Sequence, residues 1–201
     1  MFLKLTSQFI QRYKRVNLAQ YWMDLVVAQL MSHQQPQQLA ISGQVVAVLR
    51  DPRLERELIV PGLNIVSNAG DLYYAQLGAG EAVTFDFAAG GLRLGDNNTA
   101  PAKTNTDVTN FLAGTGHAVD ATYPKTDDDD GDNSGAGTDV VSYRYSYTTA
   151  QGNANGIVEG AIVNNTTTPA AALTHFLFGA AFNKTSSDTL KVFVNHTMNG
   201  I

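Results

Sequence analysis

The chain contains no cysteine, which removes disulfide frameworks, thiolate nucleophiles and Cys-based zinc or iron–sulfur sites in one step. Stability must therefore come from core burial or oligomerisation. Charge is also scarce: Asp, Glu, Lys and Arg make up 15% of the 201 residues, against about a quarter in an average globular domain. Thr, Asn, Ala and Gly fill the gap, and a polar surface with few charges loses less on desolvation than one rich in Lys and Glu. Such a surface suits a protein that packs against neighbours. The formal net charge is −5, so no wide basic footprint exists to neutralise a phosphate backbone, and nucleic acid is not an expected partner. The one basic cluster, Arg12, Lys14 and Arg15, reads as a solvated helix face. No apolar run is long enough to cross a bilayer, and the N-terminus lacks a signal peptide's apolar core and cleavage site. No membrane partner is expected, and synthesis and retention in the cytoplasm until assembly are.

What is present divides the chain in two. Over residues 2–31 apolar side chains recur at helical spacing: Phe2, Leu5, Phe9, Tyr13, then Leu18, Tyr21, Trp22, Leu25, Val26 and Leu30. The spacing predicts two helices or one bent helix, with Asn17 and Gln20 suited to starting the second. The stripe is too broad to stand uncovered, which marks residues 1–34 as a helical arm for assembly or anchoring, with Phe2, Leu5, Phe9, Tyr13, Leu18, Tyr21, Trp22 and Leu25 as its contact residues. The segment 32–38, Pro36 among four Gln, ends the arm.

Residues 35–201 read as a mainly β domain, an antiparallel β-sandwich or barrel-like fold. Runs at 43–49 and 57–60 predict a hairpin, and Asn68 is expected to cap a short helix over 69–77 that Gly78 and Gly80 stop. Short strands are expected at 84–87 and 92–94. Residues 140–149 alternate, with Tyr143, Tyr145 and Tyr147 on one face and Ser142, Arg144 and Ser146 on the other. The last strands are expected at 157–163, 173–182 and 190–197, the final two paired as a hairpin through 183–188 with Phe178 and Val192 inside and Lys191 outside.

Chemistry-bearing patterns are few. The histidines at 33, 117, 175 and 196 have no second His at ligand spacing and read as ordinary core or polar-face residues. No nucleophile elbow, Walker loop or His-Glu-x-x-His occurs. Glu81, Asp86 and Glu159 fall near strand ends, but nothing in the order of residues joins them as a glycosidase pair. Setting Gly131 as the loop glycine of an EF-hand puts Thr126 and Gly137 at the first and last ligand positions, so both essential ligands are missing. A looser cation site of Asp128, Asp130, Asp132 and Asp139 is the alternative to a solvated acidic loop, and the solvated loop is the expectation. No catalytic residue, cofactor or essential metal is therefore expected.

From Gly43 onward several short elements follow in a fixed order. They are Arg50-Asp51 at a turn, Asn64-Ile65-Val66-Ser67-Asn68-Ala69-Gly70, Leu94-Gly95, Thr99-Ala100-Pro101-Ala102 with a later Thr106-Asp107, Glu159-Gly160-Ala161-Ile162, and Lys184-Thr185-Ser186-Ser187-Asp188-Thr189-Leu190. This order resembles a group of small structural proteins of tailed bacteriophages and prophages, from which the arm and the acidic insertion depart. The resemblance implies a non-enzymatic virion component, foremost an accessory capsid cement, decoration or neck protein. Its partners would be major capsid, neck or tail subunits and further copies of itself, and its location the virion after synthesis in the host cytoplasm. The alternative is a tail-collar, fibre-base or receptor-proximal adhesin whose tyrosine face or polar loops meet a cell-surface ligand.

Replacing Asp127 to Asp130 with Ser and Gly should leave the melting temperature nearly unchanged with or without calcium. A calcium-dependent rise of several degrees in the parent chain, lost on replacement, would show a stabilising bound cation instead.

Overall fold

The computed structural model describes residues 41–53, 56–126 and 139–198. The expected helical arm with Phe2, Leu5, Phe9, Tyr13, Leu18, Tyr21, Trp22 and Leu25, and Asp128, Asp130 and Asp132 of the candidate cation site, lie outside the described residues. Eight strands and one helix make up the rest: β1 (Ile41–Asp51), β2 (Arg56–Val66), α1 (Asn68–Ala79), β3 (Gly91–Gly95), β4 (Lys125–Thr126), β5 (Val140–Tyr147), β6 (Ala154–Val163), β7 (Ala172–Lys184) and β8 (Thr189–Met198). All strands join one antiparallel sheet in the order β3-β6-β7-β2-β1-β8-β5-β4. The sheet curls into a half-barrel. Of the two architectures expected, the sandwich is corrected: among the described residues there is one sheet, and its inner face is closed by α1 and an aromatic segment.

Period-2 alternation builds that inner face. Val45 and Ala47 of β1, Tyr143, Tyr145 and Tyr147 of β5, Phe176 and Phe178 of β7, and Leu190, Val192 and Val194 of β8 all point into one buried cluster. The opposite face is apolar at its centre, where Val46 and Phe193 are buried with Val48 and Ile59 packed beside them. Burial on both faces explains why β1 reads as an almost continuous Val/Ala/Leu run instead of a clean alternation.

The helix begins at Asn68, one residue earlier than expected. Ser67, not Asn68, is the N-cap: its hydroxyl accepts from the Gly70 amide at 3.1 Å and donates to the Ala172 carbonyl, and its own amide reaches Leu173 O at 3.0 Å. A hydroxyl serves both directions at once, which fixes α1 on β7. Gly70 is required there, since a Cβ would stand 2.2 Å from the Leu173 carbonyl oxygen. Gly80 ends the helix in the left-handed conformation at φ 69°.

Two further expectations are corrected. Residues 84–87 form no strand; Phe85 and Phe87 pack on each other and on Tyr73 of α1, and Phe87 stacks on Tyr143. They close the half-barrel by aromatic contact. The final two strands do not pair either, because β7 lies between β6 and β2 while β8 lies between β1 and β5. The turn itself is as the Thr-Ser-Ser-Asp sequence suggests, with Thr185 N and Oγ1 donating to Asp188 Oδ2 at 2.8 and 2.6 Å. Two physical features separate the strands it links. β8 has a ten-position ladder with β1 and an eight-position one with β5. β7 pairs with β2 only from Gly62↔Phe178 to Val66↔Thr174, and the ladder ends at Pro61, which has no N–H to give.

Phe178 is buried and Lys191 exposed, as the alternation requires. Phe178→Ala should cost about 3–5 kcal/mol, the usual range for a core Phe truncation, whereas Lys191→Ala should be nearly silent. Urea denaturation checks this, and coincident midpoints for the two variants would contradict the register.

Candidate functional site

The strands β3, β6 and β7 are neighbours, and on their outer face the pairing brings together three polar side chains. Arg93 pairs opposite Ala161, and Ala161 pairs opposite His175, with Glu159 two residues away on the same face of β6. Residues 96–112 fold back over these groups. Glu159 is fully buried, and its carboxylate is surrounded by donors: Oε1 accepts from the amides of Asn110 at 2.8 Å and Asn97 at 3.3 Å, and Oε2 accepts from the Thr109 amide at 2.9 Å and from His175 Nε2 at 2.9 Å. Gly95 makes room for this arrangement, because a Cβ there would stand 2.4 Å from Glu159 Oε1.

His175, equally buried, completes the chain of contacts. Its Nδ1 lies 3.0 Å from Asn105 Oδ1, an oxygen that also accepts from the Ala102 amide. Both ring nitrogens thus lie within hydrogen-bond distance of a side-chain oxygen, Nε2 against the Glu159 carboxylate and Nδ1 against Asn105. Burial alone would raise the Glu159 carboxyl, but donation from His175 and from the Thr109 and Asn110 amides outweighs it and holds the group below the usual carboxylate range.

Beside this pair, Arg93 Nε is 3.0 Å from Asp107 Oδ1, close enough for an ion pair although the N–H is out of line for a hydrogen bond. Its Nη1 donates to the Thr166 carbonyl at 2.9 Å, and the guanidinium sits 3.5 Å over the Phe111 ring. Burial raises the Asp107 carboxyl despite the Val108 amide and Arg93. Val108 and Phe111 pack on Ala161, Val163 and Ala172 and seal the cluster from the side.

A second polar group lies inside the half-barrel. Tyr74 of α1 shares hydrogen bonds with Tyr143 OH at 2.9 Å and His196 Nδ1 at 2.6 Å, and His196 Nε2 has no hydrogen-bond partner. Burial raises both tyrosines above their ordinary value and lowers His196 from 6.5 to about 3.

These clusters decide what the expected site residues can do. A general base needs a free lone pair within reach of a substrate proton; the Glu159 oxygens meet four donors and no solvent. Its arrangement is that of an anchor for 96–112. Tyr143, Tyr145 and Tyr147 are buried and present no ring to a ligand. Asp139 is exposed, with its carbonyl taking the Met198 amide at 2.8 Å. Asp86 is exposed and accepts from the Ala88 amide, and neither it nor Glu81 joins Glu159. Reading the sequence missed the Glu159–His175 pair, for which the available signal is a lone Glu and a lone His set in otherwise apolar strand runs. Set against known proteins, the chain matches no family model, no curated protein and no solved structure.

His196 generates a pH prediction. Its folded value lies below its unfolded one, so between about pH 6.5 and 3 the unfolded chain binds a proton that the folded chain does not, and stability falls as pH falls through that window. His196→Gln should flatten the pH dependence of unfolding free energy there by about 1.4 kcal/mol per pH unit, the slope of one proton. Parallel curves for the two proteins, followed by denaturant titration, would contradict a buried neutral His196.

Proposed function

We propose that this chain is a non-enzymatic structural component of a tailed-phage virion, foremost an accessory capsid cement, decoration or neck protein. One observation carries the reading. Elements on which the phage resemblance rests, far apart in the chain, meet in one connected network around the buried Glu159 and His175. Ala102 of the Thr-Ala-Pro-Ala loop, Asp107 of the Thr-Asp pair and Glu159 of the Glu-Gly-Ala-Ile strand all belong to it, and the Asn68 amide of the Asn-Ala-Gly element reaches into the same loop at Lys103 O, 2.8 Å away. Residues that lock a scaffold in this way fit a structural protein. A surface with few charges, which desolvates at low cost, fits packing on neighbouring subunits.

The helical arm is the assembly element in this reading, and the β-domain is the body it fastens. Deleting residues 1–34 should leave a domain that melts cooperatively but neither self-associates in sedimentation nor joins virions assembled in its presence. Full incorporation of the truncated chain, seen by cryo-EM of the particles, would overturn the role given to the arm. Density or immunogold signal confined to the tail tip would replace the head or neck position by the adhesin alternative.

A further inference from the structure

β6 and β7 pair Ala154↔Lys184 and then Ile157↔Phe182, so two β6 residues, Asn155 and Gly156, oppose the single residue Asn183. This is a β-bulge, with Gly156 at φ 70°. Asn155 is exposed, while Ile157 immediately after it is fully buried. The Gly156 amide is held: its N–H donates to Asn183 Oδ1 at 2.8 Å.

An Asn-Gly pair carries its own reactivity. With no Cβ on the following residue, the glycine nitrogen meets little hindrance in reaching the asparagine side-chain carbonyl carbon. We propose that Asn155 is a self-modification site, converting by deamidation, and that Asn183 is the guard that sets its rate. In the first step Gly156 N loses its proton to solvent base and bonds to Asn155 Cγ. The Cγ–Nδ2 bond breaks, the departing nitrogen gains the proton and ammonia leaves a five-membered succinimide. Water then opens the ring at either carbonyl, giving aspartate or isoaspartate at position 155. Each product adds one negative charge, and isoaspartate also lengthens the backbone by a methylene next to buried Ile157, on the strand that carries Glu159.

The guard acts on the nucleophile. While the Gly156 N–H is given to Asn183 Oδ1, the nitrogen neither releases that proton nor turns toward Asn155 Cγ, so ring closure must first break the hydrogen bond and rotate a peptide within the strand. Exposure of Asn155 leaves the side chain open to water, and the restraint lies on its neighbour alone.

The test is a time course of peptide-mapped mass at mildly alkaline pH, scoring amide-to-acid conversion at Asn155 and, as an internal reference in its own peptide, at Asn199 of the other Asn-Gly pair. The parent chain should convert at Asn155 much more slowly when native than in urea. Native Asn183→Ala, its fold checked by near-ultraviolet circular dichroism, should convert several-fold faster at Asn155 and unchanged at Asn199, while Asn183→Asp, which keeps an acceptor oxygen, should stay near the parent rate. Equal rates for native Asn183→Ala and parent, or acceleration alike at both asparagines, would overturn the guard. A native parent chain that converts as fast as the urea-unfolded one would overturn it even if Asn183→Ala failed to fold.

Discussion

A carboxylate with no solvent contact must be compensated where it lies, and the architecture around Glu159 follows from that constraint. Removing an ionised group from water costs several kcal/mol unless partners replace the lost hydration. Here two backbone amides from 109–110, one from Asn97 and the His175 ring replace it. Asn97 comes from 96–107, a segment with almost no apolar residues and no hydrophobic reason to lie against the sheet, whereas Thr109 and Asn110 sit beside Val108 and Phe111, which pack on Ala161, Val163 and Ala172. For 96–107 the buried acid supplies the reason. It turns a polar loop into a fixed layer over β3, β6 and β7, and Arg93 with Asp107 and Phe111 extends the same layer toward residues 166–167.

The sheet's two ends are finished by related means. An edge strand exposes unpaired amides and carbonyls that invite unwanted pairing. At one end β3 is covered by the returning chain: Leu92 exchanges hydrogen bonds with His117 at 2.8 and 2.9 Å, and Leu94 takes the Leu112 amide at 3.0 Å. At the other end Asp120 covers β5 beyond the short β4. Its amide reaches Arg144 O at 2.9 Å, its carboxylate accepts from the Ser146 amide and hydroxyl, and Arg144 Nε pairs with it at 2.7 Å. A half-barrel that leaves its sheet open is thus closed at each margin by local polar contacts, which blunt edge-to-edge pairing.

Much of this was legible in the residues, and what was not has identifiable causes. The β5 tyrosines alternate strictly, and all three are buried on one face. The Thr84 to Phe87 alternation misled because period two reports that Phe85 and Phe87 face the same way; it does not report a ladder partner, and these rings found Tyr73 instead. The final turn showed its chemistry but not its connection, since sequence adjacency favours a hairpin while β8 is paired on both sides, by β1 and by β5. Asn68 was the expected cap, and only the fold reveals that the Ser67 hydroxyl caps the helix while also satisfying the Ala172 carbonyl. The Glu159–His175 pair lies on adjacent strands, and its other partners come from a loop some fifty residues upstream. No local pattern encodes that meeting.

The central claim is that Glu159 holds residues 96–112 in place. Site-resolved hydrogen exchange measures it directly on the amides of Asn97, Thr109 and Asn110, which give their protons to that carboxylate. In the parent chain these amides should be protected nearly as well as those of β1 and β8 in the sheet centre, and Glu159→Gln should release them selectively while the central strands keep their protection. Fast exchange at these amides in the parent chain, or full protection retained in Glu159→Gln, would contradict the account.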